Sequence, residues 1–102
     1  MDRLYNAIGL CQRAGKAQSG AFAVEQAIKS GKAKLVLLEE SASDATKEHY
    51  ARMCESRGIS LRFVETVGRA IGKESRIVTA ITDPAFVHMI EGAMPNTDEK
   101  RG

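Results

Sequence analysis

An unbroken apolar run, KLVLLE at residues 34–39, restricts the fold of this chain more than any other segment. Charged residues bound four consecutive aliphatic ones, a pattern typical of a strand that is buried on both faces. Such a strand needs an apolar layer above it and another below it, and helices usually supply both. The run therefore predicts a sheet that is covered by helices on both sides.

Amphipathic segments alternate with further apolar runs along the rest of the chain. Helices are predicted at residues 2–14, 20–30, 44–56 and 84–91, with a short helical piece at 67–71. Strands are predicted at residues 34–39, 59–65 and 77–82. Because alternating strands and helices favour a partly parallel sheet, we expect an α/β fold, a three-layer α/β/α sandwich around a mixed sheet.

The second and last helices carry further expectations about caps and faces. Ser19 is expected to cap the second helix, since a serine side chain accepts a hydrogen bond from first-turn amides. The inner stripe of that helix is expected to comprise Ala21, Val24, Ala27 and Ile28. Phe22 then points nearly opposite to this stripe. In the last helix the inward residues are expected to be Phe86, Met89 and Ile90.

The length of 102 residues, 43% of them hydrophobic, suits one compact domain. We assign residues 1–94 to that domain and residues 95–102 to a polar tail that is expected to be disordered. The net charge of +2 does not by itself indicate a nucleic-acid partner. Cys11 and Cys54 are expected to be buried, reduced thiols. With no membrane-length segment and no signal-like start, a cytoplasmic protein is expected.

No arrangement typical of an enzyme or a metal site is evident in the sequence. The segment GRAIGKE at residues 68–74 lacks both the glycine spacing and the Ser or Thr of a phosphate loop. His49 and His88 have no partner at the spacing of metal ligands. Glu39 and Glu40 have no second acid or nucleophile placed beside them. We therefore expect no catalysis, no metal and no cofactor.

Three short segments bring glycines and basic residues together, a combination suited to binding phosphate; they are residues 13–22, 68–73 and 74–76. If they meet at one end of the sheet, they form a phosphate-binding rim beside Phe22, which is free to stack on a base. Two other interpretations stay open. The charges could belong to solvated loops, and Phe22 could anchor a protein partner in an interaction module.

Several motifs stand in a characteristic order along the chain. They are Gly9-Leu10, Arg13-Ala14-Gly15-Lys16, Ser19-Gly20, Ala33-Lys34-Leu35-Val36-Leu37-Leu38, a Glu-rich Ala-Ser segment at 39–46, and Gly68-Arg69-Ala70-Ile71-Gly72-Lys73-Glu74. Together they resemble the kink-turn-binding ribosomal proteins, the archaeal L-seven-Ae and L-thirty-e type, over about residues 2–92. They look most like the short bacterial members called YlxQ-type.

The resemblance implies an α/β/α sandwich with a four-stranded sheet, whose fourth strand is short and near Ala17-Gln18. It also implies an RNA site made by the start of the second helix and the loop before the last strand. Archaeal members have Asn, Glu and Lys where this chain has Phe22, Ala23 and Gln26. Stacking by Phe22 is therefore expected to replace hydrogen bonding to base edges.

The predicted function is that of a non-catalytic protein that binds structured RNA, either kink-turn-like or ribosomal. The residues predicted to contact RNA are Arg13, Lys16, Gly20, Phe22, Arg69, Gly72, Lys73 and Arg76. The expected partners are RNA and, as a further candidate, the ribosome or another protein. The chain is expected to be a monomer.

Overall fold

A computed structural model of the protein describes residues 3–65 and 77–94. Within these residues the elements are α1 (Arg3–Arg13), β1 (Ala17–Ser19), α2 (Ala21–Lys29), β2 (Leu35–Glu39), α3 (Asp44–Arg57), β3 (Ser60–Val64), β4 (Val78–Ile81) and α4 (Pro84–Ala93). Strands and helices alternate as predicted, and β1 occupies the place that the family resemblance implied. The helical piece expected at 67–71 and the tail at 95–102 lie outside the described residues.

The four strands form one mixed sheet in the order β1-β4-β2-β3. β2 runs parallel to β3, with Leu35 opposite Ser60, and antiparallel to β4, with Leu35 opposite Ile81. β4 also pairs antiparallel with β1, so β1, β2 and β3 point the same way. Their last residues therefore lie at one end of the sheet, together with the first residue of β4. We call this the carboxyl end of the sheet.

Helices cover both faces of this sheet. Leu35 and Leu37 of β2 belong to a buried cluster with residues of α1 and α4, whereas Val36 and Leu38 belong to a second cluster with residues of α2 and α3. All residues of β2 are buried. Because consecutive side chains of a strand point to opposite faces, the apolar run fills both layers of the core. The α/β fold and its three-layer sandwich are confirmed.

Side-chain caps fix the starts of two helices. The Ser43 hydroxyl accepts a hydrogen bond of 3.1 Å from the backbone N–H of Thr46 at the start of α3. The Asp83 carboxylate accepts one of 2.8 Å from the N–H of Ala85 at the start of α4, where Pro84 follows the cap. Both caps satisfy amides that a helix leaves without internal acceptors.

Three predictions about helices are wrong. Ala21 does not belong to the inner stripe of α2, because it is the first residue of that helix and is exposed, whereas Val24, Ala27 and Ile28 are buried. Ser19 does not cap α2, because it is the last residue of β1 and pairs with Thr79; Gly20 takes the capping position instead. Met89 does not face the core, since its relative solvent exposure is 44%. Val87 packs against the core in its place, because α4 begins at Pro84 and turns residues 87 and 90 toward the sheet.

Both cysteines are buried and free, as expected. The Cys11 thiol donates a hydrogen bond of 3.3 Å to the carbonyl oxygen of Lys16. Among the described helices, none combines the length and the hydropathy that crossing a bilayer needs. Residues 3–65 and 77–94 also hold no group of three His, Cys, Asp or Glu side chains that could bind a metal ion.

Candidate nucleic-acid interface

The junction between β1 and α2 lies at the carboxyl end of the sheet and opens a helix without a side-chain cap. Gly20 has φ 92° and ψ 153°, a backbone conformation that residues other than glycine rarely adopt. Its N–H donates to the carbonyl oxygen of Val78 over 3.0 Å, which fixes the junction to β4. A helix start of this kind presents N–H groups and the positive end of the dipole to an approaching anion.

Phe22 lies in the first turn of α2 with a relative solvent exposure of 79%. The buried residues of this helix are Val24, Ala27 and Ile28, on the opposite side. The prediction that the ring of Phe22 points away from the core is confirmed. An aromatic ring that is this exposed is available to stack on a flat ligand or to anchor a protein partner.

Phe22 borders an open groove of about 790 Å³ that runs along α2 toward the far end of the sheet. The groove is lined by Gln18, Phe22, Ala23, Gln26, Ala27, Ser30, Gly31, Lys32, Lys34 and Thr82. We call it the Phe22 groove. Its described lining contains two lysines and no carboxylate, so its charge favours an anionic ligand.

Lys32 and Lys34 of this groove were not among the predicted site residues. Lys34 reaches the groove because its N–H donates to the carbonyl oxygen of Ile81 over 2.7 Å, next to Thr82. That contact depends on the strand order, in which β4 separates β1 from β2. No local pattern in the sequence encodes this order, and only the placement of β1 beside β4 could have identified the two lysines.

A second depression, of about 650 Å³, lies on the other side of the α2 start, between α2 and α3. Glu25 and His49 line it, with 3.0 Å between Oε2 of Glu25 and Nε2 of His49. The His49 ring also meets Tyr50 edge-on, with 4.9 Å between the ring centroids. Because a carboxylate faces this depression, it is less suited to phosphate than the Phe22 groove.

The predicted basic residues do not all gather at the carboxyl end of the sheet. Arg13 and Lys16 are exposed, but they precede β1, whereas Gly20 follows it. Gly20 lies four residues after Lys16, which corresponds to about 13 Å of extended chain. The Lys16 carbonyl accepts hydrogen bonds from the N–H and the hydroxyl of Thr82, at 2.9 and 3.1 Å. Lys16 therefore flanks the far end of the Phe22 groove rather than the start of α2.

The remaining predicted residues, Arg69, Gly72, Lys73 and Arg76, lie outside the described residues. The described residues on either side of them are held at the carboxyl end of the sheet. The carbonyl oxygen of Val64 accepts a hydrogen bond of 2.8 Å from the backbone N–H of Glu40. The carbonyl oxygen of Ile77 accepts one of 2.9 Å from the backbone N–H of Glu39. The Glu39 carboxylate accepts a hydrogen bond of 2.8 Å from the Ser41 hydroxyl, a local contact between residues two apart in the chain.

A family model described as the ribosomal protein L7Ae/L30e/S12e/Gadd45 family matches residues 2–90. The chain belongs to this family. It is similar to the RNA-binding protein YlxQ of Bacillus subtilis (strain 168), with 40% identity over 86 residues, 81% of this chain and 86% of the relative. The resemblance to YlxQ-type members is thus confirmed. Membership also bears out the expectation of a non-catalytic protein, since the family is one of ribosomal and RNA-binding proteins.

Solved structures agree on the fold. A protein of unknown function from Bacillus halodurans superposes with a TM-score of 0.85 and 29% identity, covering 91% of this chain and 97% of that one. The Giardia lamblia 15.5kD RNA binding protein superposes with a TM-score of 0.73 over 89% of this chain and 81% of its own, at 23% identity. At that identity the second likeness concerns the fold alone.

Proposed function

We propose that this protein is a non-catalytic RNA-binding protein that contacts structured RNA, of kink-turn-like or ribosomal type, around the start of α2. The observation that carries the proposal is the exposed ring of Phe22 at an uncapped helix start, beside a groove with two lysines and no carboxylate in its described lining. Family membership and the printed name of the Bacillus subtilis relative support the same partner.

Each proposed residue has a definite role. Phe22 stacks on a base, and Gly20 lets the RNA backbone approach the first amides of α2. Arg13, at the end of α1, and Lys16, beyond the far end of the Phe22 groove, contact phosphates. The same phosphate-binding role is proposed for a second RNA-facing set, which comprises Arg69, Gly72, Lys73 and Arg76. The described residues that flank this set, Val64 and Ile77, are fixed at the end of the sheet where α2 begins.

Recognition of RNA by this chain is proposed to rely on stacking more than on hydrogen bonds to base edges. Phe22 and Ala23 carry no polar side-chain atoms, so they supply none of the contacts that Asn and Glu make at these positions in archaeal relatives. A base contact of that kind contributes roughly 1–3 kcal/mol to discrimination. Selectivity for one base at this position is therefore proposed to be low.

The test compares the RNA affinity of the wild type with that of Phe22→Ala, using a labelled kink-turn hairpin and fluorescence anisotropy. Loss of stacking is expected to weaken binding by about 1–3 kcal/mol, roughly 5- to 160-fold. Phe63→Ala is the matched control, since Phe63 is an exposed aromatic residue of β3, 43% accessible, away from α2. Unchanged affinity of Phe22→Ala, or an equal loss in both variants, would contradict the proposal.

The same exposed ring favours a second candidate, a protein-interaction module anchored by Phe22. Affinity capture from cells with and without ribonuclease separates the two. Partners that disappear on digestion support RNA binding, whereas partners that survive digestion and disappear in Phe22→Ala support the second candidate.

We also propose a cytoplasmic monomer. Two free buried thiols are in keeping with the cytoplasm, and size-exclusion chromatography with light scattering tests the monomer.

A further inference from the structure

We infer that the Phe22 groove holds an unpaired stretch of RNA whose phosphates run along Lys32 and Lys34, away from a base that is stacked on Phe22. The inference rests on the proposed function and adds to it the strandedness of the bound segment and two further RNA-contacting residues. Gln18, Gln26 and Ser30 line the groove between the ring and the lysines.

Charge distinguishes this groove from the other large depression around α2. Lys32 and Lys34 are exposed cations in its lining, and within the described residues no acid faces them there. The neighbouring depression contains the carboxylate of Glu25 beside His49. A polyanion that reaches the start of α2 is therefore attracted toward the lysines and not toward α3.

The lysines stand on a fixed backbone. The N–H of Lys32 donates to the carbonyl of Ala27 over 2.9 Å, at the turn that follows α2. Gly31 enters this turn with φ 80°, and Lys34 is tied to Ile81 of β4. Because the backbone is held at both residues, binding orders only the side chains, which limits the entropic cost.

The Phe22 groove is long enough to hold more than one nucleotide. Ser30 lies eight residues after Phe22 along α2, so the ring and the turn that carries Lys32 are about 12 Å apart along the helix axis. Stacked nucleotides advance by about 3.4 Å along a strand, so the span exceeds one nucleotide. Between the ring and the lysines, the uncharged side-chain amides of Gln18 and Gln26 can both donate and accept hydrogen bonds.

The chemistry of the groove favours an unpaired strand over a duplex. A base must leave its helical stack before it can lie on the ring of Phe22, and bases in an RNA duplex are not available in this way. An aromatic platform followed by cations along a groove is the arrangement used to bind single strands.

The experiment measures the affinity of two RNAs for the full-length protein as a function of salt. One RNA is a hairpin with an unpaired internal stretch, and the other is the same hairpin with that stretch fully paired. The variant is Lys32→Gln/Lys34→Gln, and the control is Arg3→Gln/Lys47→Gln, which removes the same charge from α1 and α3. Circular dichroism verifies that both variants fold.

Loss of two single-strand phosphate contacts is expected to make the slope of log K against log salt shallower by about 1.4 and to weaken binding about 25-fold at 0.1 M salt. For the control, the slope is expected to change by less than about a third of that amount. The paired hairpin is expected to bind weakly to the wild type, the variant and the control. Equal slopes for variant and control, or equal affinity of the wild type for both hairpins, would overturn the inference. A wild type that binds neither hairpin contradicts the proposed function itself, so the two failures are distinguishable.

Discussion

The backbone N–H of Gly20 donates a hydrogen bond of 3.0 Å to the carbonyl oxygen of Val78, joining the start of α2 to the first residue of β4. Gly20 has φ 92° and ψ 153°, and α2 begins at the next residue. The exposed ring of Phe22 is thereby held two residues from a fixed point of the sheet. Stability and the proposed RNA contact consequently depend on the same backbone conformation.

Gly20→Ala is expected to destabilise the protein by about 1–3 kcal/mol, because alanine is strained in this region of backbone conformation. The free energy of unfolding is measured by urea denaturation. Gly92→Ala is the control: Gly92 lies in α4, and a Cβ there meets nothing within 4 Å. This control is expected to gain up to about 1 kcal/mol from the higher helix propensity of alanine. A Gly20→Ala protein as stable as the wild type would contradict the assigned conformation.

Most of the fold could be predicted from the sequence because its patterns are local. The run at residues 34–39 indicated a doubly covered strand, and the helices predicted at residues 44–56 and 84–91 begin at the residues where the structure begins α3 and α4. The three-residue strand β1 carries no readable periodicity, so it was expected only through the family resemblance. Without the bounds of β1, the sequence favours Ser19 as a helix cap, although the structure places it in the strand.

The candidate site was only partly predictable, for a reason of topology. The orientation of Phe22 follows from helical spacing alone, and the structure agrees with it. The position of Lys16 beyond the far end of β1, and that of Lys32 and Lys34 in the groove, depend on which strands are neighbours. Strand order is a long-range property that residue spacing does not carry.

The hydroxyl of Thr79 is buried in β4 and has no hydrogen-bond partner among the described residues. Thr79→Val is expected to raise the free energy of unfolding by about 1 kcal/mol, since valine keeps the shape and removes an unsatisfied polar atom. Thr82→Val is the contrasting variant, because the Thr82 hydroxyl donates to the Lys16 carbonyl over 3.1 Å and its loss is expected to destabilise. Thermal or urea unfolding measures both. Destabilisation of Thr79→Val by more than 1 kcal/mol would indicate that the hydroxyl has a partner.

The cap of α3 is expected to contribute about 1 kcal/mol to stability, since the Ser43 hydroxyl accepts from the N–H of Thr46 over 3.1 Å. Ser43→Ala removes the acceptor and is expected to lower the urea midpoint. Ser43→Asp keeps an acceptor at the same position and is expected to restore it. If aspartate fails to recover the stability that alanine loses, the contribution of Ser43 does not come from capping.

Burial raises the pKa of the Cys11 thiol from 9.0 to about 11, with smaller effects from Asp83, which raises it further, and Lys16, which lowers it. Between these pH values the thiol of the unfolded chain is ionised while that of the folded protein stays protonated. Stability from this group is therefore complete below pH 9 and falls as pH rises toward 11. Urea midpoints at pH 8 and pH 10 are expected to differ less in Cys11→Ala than in the wild type, with the remaining loss arising from Tyr50 and Cys54, whose pKa values burial also raises. An identical loss in both proteins would show that the thiol ionises as easily in the folded state as in the unfolded chain.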